Sequence, residues 1–565
     1  MRSGHRFGRR RQKKGPILIK ALTAVCLVLL CAATLRAQVA ESIDVRIVNV
    51  DVTVTSKGAP VHGLTRDDFE ILEDGRRQTI TNFYTSGETC TAIATAPGAA
   101  PGAPASTTAA EVDPRFRRKV LVLVDNHHTT RHSRDKALRE LEALINDRFH
   151  GDYDWSIGVI GRGITLILPL SSDRTAIHEA IEIIRNSGTR SEGASTFAGA
   201  TERQASTLAP NDLQQSGWSV FDPDFQQRLA DSDAADAAEQ AIAARFTAPA
   251  YIDAVRGFAS TSGRKIVLLL TGDPGFNDME AVRQVQGGSG DAFVANGFGP
   301  GADKFWNNQS IIQDVRASII REANASDVSF YVWNVEGLTA MGELGVGSRP
   351  VTNTSAVFWI AKETGGRLVT GNDAARAVQE FDTASSSFYS LGYSPAHPDD
   401  GKYHTISVRL KRAGDYGLEY RSGYASSPSA TQLQRAMKSP TAAAMKANSL
   451  PVTLDLGAPQ TAGGEVTVPI EVKVPFAALQ FLPGKSGVAA NLMLYVSVFN
   501  DIGKNLVATS IPLTPGFKSG SPDLKGTLVY RNAIKLRHGE RHRIVVAIRD
   551  VVTDSVGMAT EVVKF

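Results

Sequence analysis

Cysteine is nearly absent from this 565-residue chain, which has three. Two of them, Cys26 and Cys31, fall within the first 37 residues, which leaves Cys90 alone. If that leading segment is removed, no intrachain disulfide and no cysteine cage for zinc can form. A chain of this length then depends on packed cores, with two to four domains expected. Catalytic signatures are missing too. There is no G-x-S-x-G elbow, no Walker loop and no G-x-G-x-x-G joining a strand to a helix. Those absences exclude the familiar hydrolase, P-loop and dinucleotide classes, and no enzymatic activity is expected. Cys90 has no evident base beside it and reads as a tolerated thiol.

A basic body is also lacking. The whole chain carries a formal charge of +3, but residues 1–37 hold nine Lys/Arg and no acid. Without them, 52 bases face 58 acids, a net charge of −6. The basicity is confined to the head, so no nucleic-acid partner is expected. That head, "MRSGHRFGRRRQKKGPILIKALTAVCLVLLCAATLRAQ", joins a basic stretch to an apolar run over 17–33 and a small residue at Ala37. This is the pattern of a cleaved secretory signal. The chain is therefore expected to be exported: periplasmic, cell-surface or secreted. Uncleaved, an apolar run of roughly 17 residues would be a borderline single anchor. Bulky Leu30 before Cys31 argues against lipid attachment.

Residues 43–86 alternate apolar and polar side chains, with Asp74-Gly75 marking a hairpin. Residues 87–114, rich in Ala, Pro, Gly and Thr, read as a linker. Over 116–384 strands and helices alternate, the mark of parallel strands covered by helices. "RKVLVLV" and "RKIVLLL" read as buried strands, and "SRDKALRELEALINDRF" shows helical spacing of Ala137, Leu138, Leu141, Leu144 and Ile145. Gly161-Arg162-Gly163 joins two apolar runs as a tight hairpin within that sheet. Ser172 or Asp173 reads as an N-cap, and Gly365-Gly366 as a helix stop. Residues 385–425 return to period-two strands that are able to join 43–86, 426–450 read as a second linker, and 451–565 as a β-sandwich.

The stretches "VDVTVTSKGAPVHGLTRDDFEILEDGRRQTITNFY", the strand ending at Asp125, "KETGGR" and "YSLGYSPAHPDDGKYHTISVRLKR" together resemble von Willebrand factor A (VWA)-related proteins of acidobacteria, over roughly residues 43–425. The resemblance implies an α/β fold: a doubly wound, mostly parallel six-stranded sheet with one antiparallel edge strand, helices on both sides and flanking β-modules. It also implies a metal-ion-dependent adhesion site built on Asp-x-Ser-x-Ser, a loop threonine and a distal aspartate, at which a protein partner docks. Such a site gives Mg²⁺ or Mn²⁺ hard oxygen ligands and leaves one position open.

Carried onto this chain, the first motif is Asp125-Asn126-His127-His128-Thr129. Asp125 and Thr129 match. His127 replaces the first serine, which favours a softer metal if its ring ligates. The loop threonine is assigned to Thr196, with Thr189 as the alternative. The distal acid is Asp273, in Thr271-Gly272-Asp273, one position displaced from the usual Thr-Asp-Gly. A plainer reading is that Asp125 and Thr129 only cap the helix expected near His132. The clustered His127, His128 and His132 lack the helical spacing of a ligand pair. The aromatics of "FYVW" (330–333) read as core, and the stretch 274–308, following the fourth strand, as the place where partner choice is written. The expected function is protein binding or adhesion. A metal-free envelope-assembly scaffold is the alternative, and a metal-dependent hydrolase using His127 and His128 the remote one.

Overall fold

The structure is a computed structural model that describes residues 47–86, 118–147, 153–189 except 162, 241, 244–245, 247–258, 263–272, 302–335, 356–441 except 370–372 and 398, and 449–564 except 485–486, 501–502 and 518–523. Within these it is a mixed α/β fold with several distinct sheets.

Five strands come first: β1 (Val48–Ser56), β2 (Ala59–Pro60), β3 (Phe69–Glu73), β4 (Arg76–Gln78) and β5 (Asn82–Ser86). Asp74 and Gly75 both take positive φ, 47° and 78°, as the two-residue turn between β3 and β4 requires.

The central sheet follows, from β6 (Arg118–Asp125), β7 (Tyr153–Ile160), β8 (Ile164–Ser171), β9 (Arg264–Thr271), β10 (Val328–Asn334) and β11 (Leu368–Val369). Its spatial order is β11-β10-β9-β6-β7-β8. All neighbours are parallel except β7 and β8, the hairpin through Gly161 and Gly163. Every residue of β9 is buried, as is every residue of β6 from Val120 on. Continuous apolar strands of this kind are buried on both faces.

Successive side chains serve two cores. Val120, Val122 and Val124 pack with α1 (Arg131–Asp147), α2 (Arg174–Arg185) and α5 (Ala374–Ser386). Leu121 and Leu123 pack with the helical segment 247–258, α3 (Ala302–Ala325) and α4 (Ala356–Glu363). Phe330 and Val332 belong to the second core, Tyr331 and Trp333 to the first, so the aromatic run is core. Asp173 caps α2 by accepting from the Thr175 amide at 2.9 Å. After α4, Gly365 turns at φ 76°, and a Cβ on Gly366 would lie 1.9 Å from the Phe330 carbonyl oxygen. Only glycine admits that approach.

Beyond the sheet, β12 (Phe388–Tyr393), β13 (Tyr403–Leu410), β14 (Gly417–Glu419) and β15 (Gly423–Ala425) return to the opening strands. β1 pairs antiparallel with β12 and β14, β12 with β5, and β13 with β3 and β15. Two sheets result, sharing an apolar core of Val50, Val52, Phe69, Ile71, Leu391 and Ile406 among others.

Part of the stretch read as a second linker is ordered. α6 (Ser429–Ala436) buries Leu433, Ala436 and Met437 against Tyr495, Phe499, Val545 and Met558. Ser439 and Thr441 hydroxyls both donate to the Asp253 carbonyl, at 2.8 and 2.5 Å. Three apolar anchors in a polar, alanine-rich segment suffice to dock it. The chain ends in antiparallel sheets whose long strands Glu465–Pro475, Leu492–Asn500 and Arg541–Asp550 enclose one valine- and isoleucine-rich core.

Candidate functional site

β6 lies between β9 and β7; the chain leaves β6 toward β7 on one side and leaves β9 toward β10 on the other. The carboxyl ends of β6 and β9 therefore flank a topological switch point, the crevice where open α/β sheets hold ligands. Asp125 ends β6 and Thr271 ends β9.

Asp125 is fully buried. Its Oδ1 accepts from the His127 amide at 3.0 Å. Its Oδ2 accepts from the Thr271 hydroxyl at 3.1 Å and the Tyr251 phenol at 3.3 Å, and His128 Nδ1 lies 2.9 Å away. A carboxylate offers about four lone-pair positions, two on each oxygen; here three donors converge on Oδ2 and one on Oδ1. Burial alone would raise this acid's pKa. The His128 ring, the His127 amide and the Thr271 hydroxyl outweigh it and hold the carboxyl below its ordinary value.

The neighbours are equally engaged. Thr129 is buried, and its hydroxyl donates to the Asp125 carbonyl at 2.7 Å. His127 turns to the β7–β8 hairpin, where Nε2 donates to the Gly161 carbonyl at 2.6 Å. The Gly272 amide donates to the His128 carbonyl at 3.0 Å, tying this loop to the end of β9. Arg134, wholly buried in the first turn of α1, donates to Asn126 Oδ1 (3.2 Å) and to the carbonyls of Arg185 (3.1 Å), the last residue of α2, and Ser187 (3.1 Å), just past it. It satisfies carbonyls that a helix terminus leaves open.

Of the expected cation ligands, Asp125, Thr129 and His127 are brought together, with their donor and acceptor atoms turned to protein. Thr189, the alternative loop threonine, is buried. Thr196 and Asp273 lie outside the described residues, as does Cys90. Among the described members, the Asp125 carboxylate and the Thr129 hydroxyl are hydrogen-bonded within the protein, whereas a hydrated hard cation takes oxygens that face water. The helix-capping reading also needs correction. Neither Asp125 nor Thr129 caps α1; Thr130 does, its hydroxyl accepting from the Ser133 amide at 3.3 Å and its carbonyl from the Arg134 amide at 3.0 Å.

Three contributors escaped the sequence reading. Thr271 was visible only as part of a displaced motif. Tyr251 arrives from a helix 126 residues away. Arg134 carried a usable signal: a charge at the head of the apolar stripe Ala137, Leu138 and Leu141.

A second polar cluster lies between β3 and β13. Glu73, His397 and His404 each place one ligand atom within 4.8 Å of the other two. Glu73 accepts from the phenols of Tyr393 (2.9 Å) and Tyr424 (2.5 Å) and from Gln78 Nε2 (3.3 Å). The His397 and His404 rings stack at 3.9 Å. Burial by itself pulls His404 down, but bonds to Asp74 and Asp400 outweigh it and raise its pKa above the ordinary value.

No protein-family model matches the chain, and no curated protein does. Solved structures similar in part include an aerotolerance-related membrane protein of Bacteroides fragilis, at 11% identity and a TM-score of 0.21, covering 47% of this chain and 97% of that one. BatB of Bacteroides thetaiotaomicron is similar at 11% identity and a TM-score of 0.20, over 47% of this chain and 98% of that one. A calcium-binding mutant of Bacteroides uniformis β-glucuronidase 2 matches over 20% of this chain at 14% identity and a TM-score of 0.15, and this chain spans only 13% of its length.

Proposed function

We infer that this chain is an exported, non-enzymatic binding protein of the VWA type, whose central domain offers the carboxyl ends of its strands to a protein partner with no cation at Asp125. The VWA reading is supported by a six-stranded sheet with one antiparallel edge strand and helices packed on both faces. One observation carries the metal-free part: the Asp125 carboxylate accepts from four donors, three of them at Oδ2, which come from its own loop, from β9 and from the helical segment 247–258. A cation site needs that carboxylate facing water and an open coordination position. Here the same residues lock the loop instead, and Thr130, Arg131 and His132 form an exposed surface beside it. The stretch 274–308, which follows β9 in sequence, is where we place partner selection.

A second reading, an envelope-assembly scaffold that binds through its C-terminal module, draws on the edge strand Asn505–Leu513, which exposes Leu506 and Val507. Exposed edge strands are templates for pairing with another chain. Site-specific photo-crosslinking in the intact cell envelope separates the readings. The first expects an adduct from a probe at Thr130 that persists after chelation. An adduct from Leu506 alone supports the scaffold. An adduct at Thr130 that disappears with chelator and returns with Mg²⁺ or Mn²⁺ overturns the metal-free site.

A further inference from the structure

One C-terminal sheet runs in the order Asn505–Leu513, Leu492–Asn500, Arg541–Asp550, Val556–Lys564, so Asn505–Leu513 is an edge strand, paired on one side. An unpaired edge offers its amides and carbonyls to any other strand, and proteins guard such edges with charge, with proline or with irregular register. Two other long edges here are guarded by charge. Val556–Lys564 exposes Glu561 and Lys564, and Thr527–Arg537, at the margin of the neighbouring sheet, exposes Arg531, Lys535 and Arg537. Asn505–Leu513, with the sequence NLVATSIPL, holds no charge. Its guards stand only at its ends: Pro512, which has no amide to offer, and a register shift against Val498 and Phe499. Between them residues 506–510 are exposed without a break, Leu506 at 45% and Val507 at 38%.

The strand is also complementary to itself. Val507, Thr509 and Ile511 stand opposite Val498, Val496 and Leu494, which belong to the sandwich core, so these three form the row on the core side. An antiparallel copy with its twofold axis at Thr509 sets Val507 of each chain against Ile511 of the other, and threonine against threonine between them. Cross-strand pairs of this kind are what stabilises a sheet, and here they carry the apolar row from one chain into the next. No like charges meet: Lys504, just before the strand, falls opposite Thr514. A twofold axis uses the same surface on both chains and closes on itself, so neither edge stays open. We propose that Asn505–Leu513 pairs antiparallel with the same strand of a second copy of this chain about an axis at Thr509, joining two four-stranded sheets into one. The pairing is independent of docking at the strand ends; it rests on the scaffold reading and names the partner for that edge.

The test is light scattering of the purified full chain over a concentration series, with thermal melting of dilute samples alongside. The wild type should pass from monomer to dimer mass. Thr509→Lys and Thr509→Glu each set like charges face to face at the axis and should raise the dimer Kd about fivefold or more. An equimolar mixture of the two variants sets opposite charges there and should recover the dimer. Thr509 is exposed, so each variant should melt with the dilute wild type. Monomer mass at every concentration, a dimer that Thr509→Lys leaves intact, or no recovery on mixing overturns the proposal. A chain that stays monomeric while a photo-probe at Leu506 captures a different protein overturns the self-pairing and leaves the scaffold reading standing. A monomeric chain with no adduct at Leu506 removes both.

Discussion

The strand-end site and the β-module cluster are built from the same materials, acids beside histidines, and are closed to different degrees. At the strand ends one carboxylate is fully buried and held by a backbone amide, an imidazole, a hydroxyl and a phenol. In the β-module two imidazoles stack near a rim, with His397 and Asp400 partly in solvent. The first arrangement holds a loop in place; the second leaves its rim within reach of water. Proximity of acid and histidine is shared by both. Solvent access is what separates them.

The largest expected effect probes the lock. Asp125→Ala strands the His128, Tyr251 and Thr271 donors in a buried space, and breaking one side of a buried charged pair costs about 3–5 kcal/mol. Urea unfolding of the variant should show that loss, with or without divalent ions present. A loss appearing only when Mg²⁺ is present would mean that the carboxylate serves a cation, and the contrast between the two sites would fall.

How far the molecule could be read from sequence follows the same division. The buried runs of β6 and β9, the hairpin through Gly161 and the turn at Asp74-Gly75 were legible, because local periodicity and turn chemistry encode them. The strand-end loop was legible as a place. Its chemistry was not, because Tyr251 and Thr271 reach Asp125 across 126 and 146 residues. Glu73 and His404 meet only because β3 pairs with β13, and no local pattern reports that register. The ordered start of 426–450 was hidden by composition. Leu433 and Met437 are too sparse to signal a docked helix until their partners on the C-terminal sheet are known.

A smaller effect, of opposite sign at the two sites, comes from pH. Asp125 has a folded pKa below the ordinary 3.8. Its contribution is present above that value and lost as pH falls through the folded pKa. His404 has a folded pKa above the ordinary 6.5. Its contribution is fully present below 6.5 and lost as pH rises through the folded pKa. Chelator-treated protein should therefore lose stability at both ends, and the two losses should separate by variant. Asp125→Asn should reduce the acid-side loss, to which other depressed carboxylates such as Glu142 also contribute, and His404→Gln should reduce the alkaline-side loss near neutral pH. If His404→Gln left the alkaline limb unchanged, the ring would not be charged between Asp74 and Asp400.

The smallest effect sharpens the account of the lock. Tyr251→Phe removes one of the four donors to Asp125, the longest at 3.3 Å, and leaves the ring in the same core beside Phe330. A single hydrogen bond of this kind is worth about 1 kcal/mol, so the urea midpoint should fall slightly at an unchanged slope. Amide exchange offers a finer readout. If the phenol helps pin the carboxylate, the His127 and Gly272 amides, which donate to Asp125 and to the His128 carbonyl, should exchange faster in the variant while the β7 amides do not. Unchanged protection at His127 and Gly272 would reduce Tyr251 to a core aromatic, and the lock to three donors.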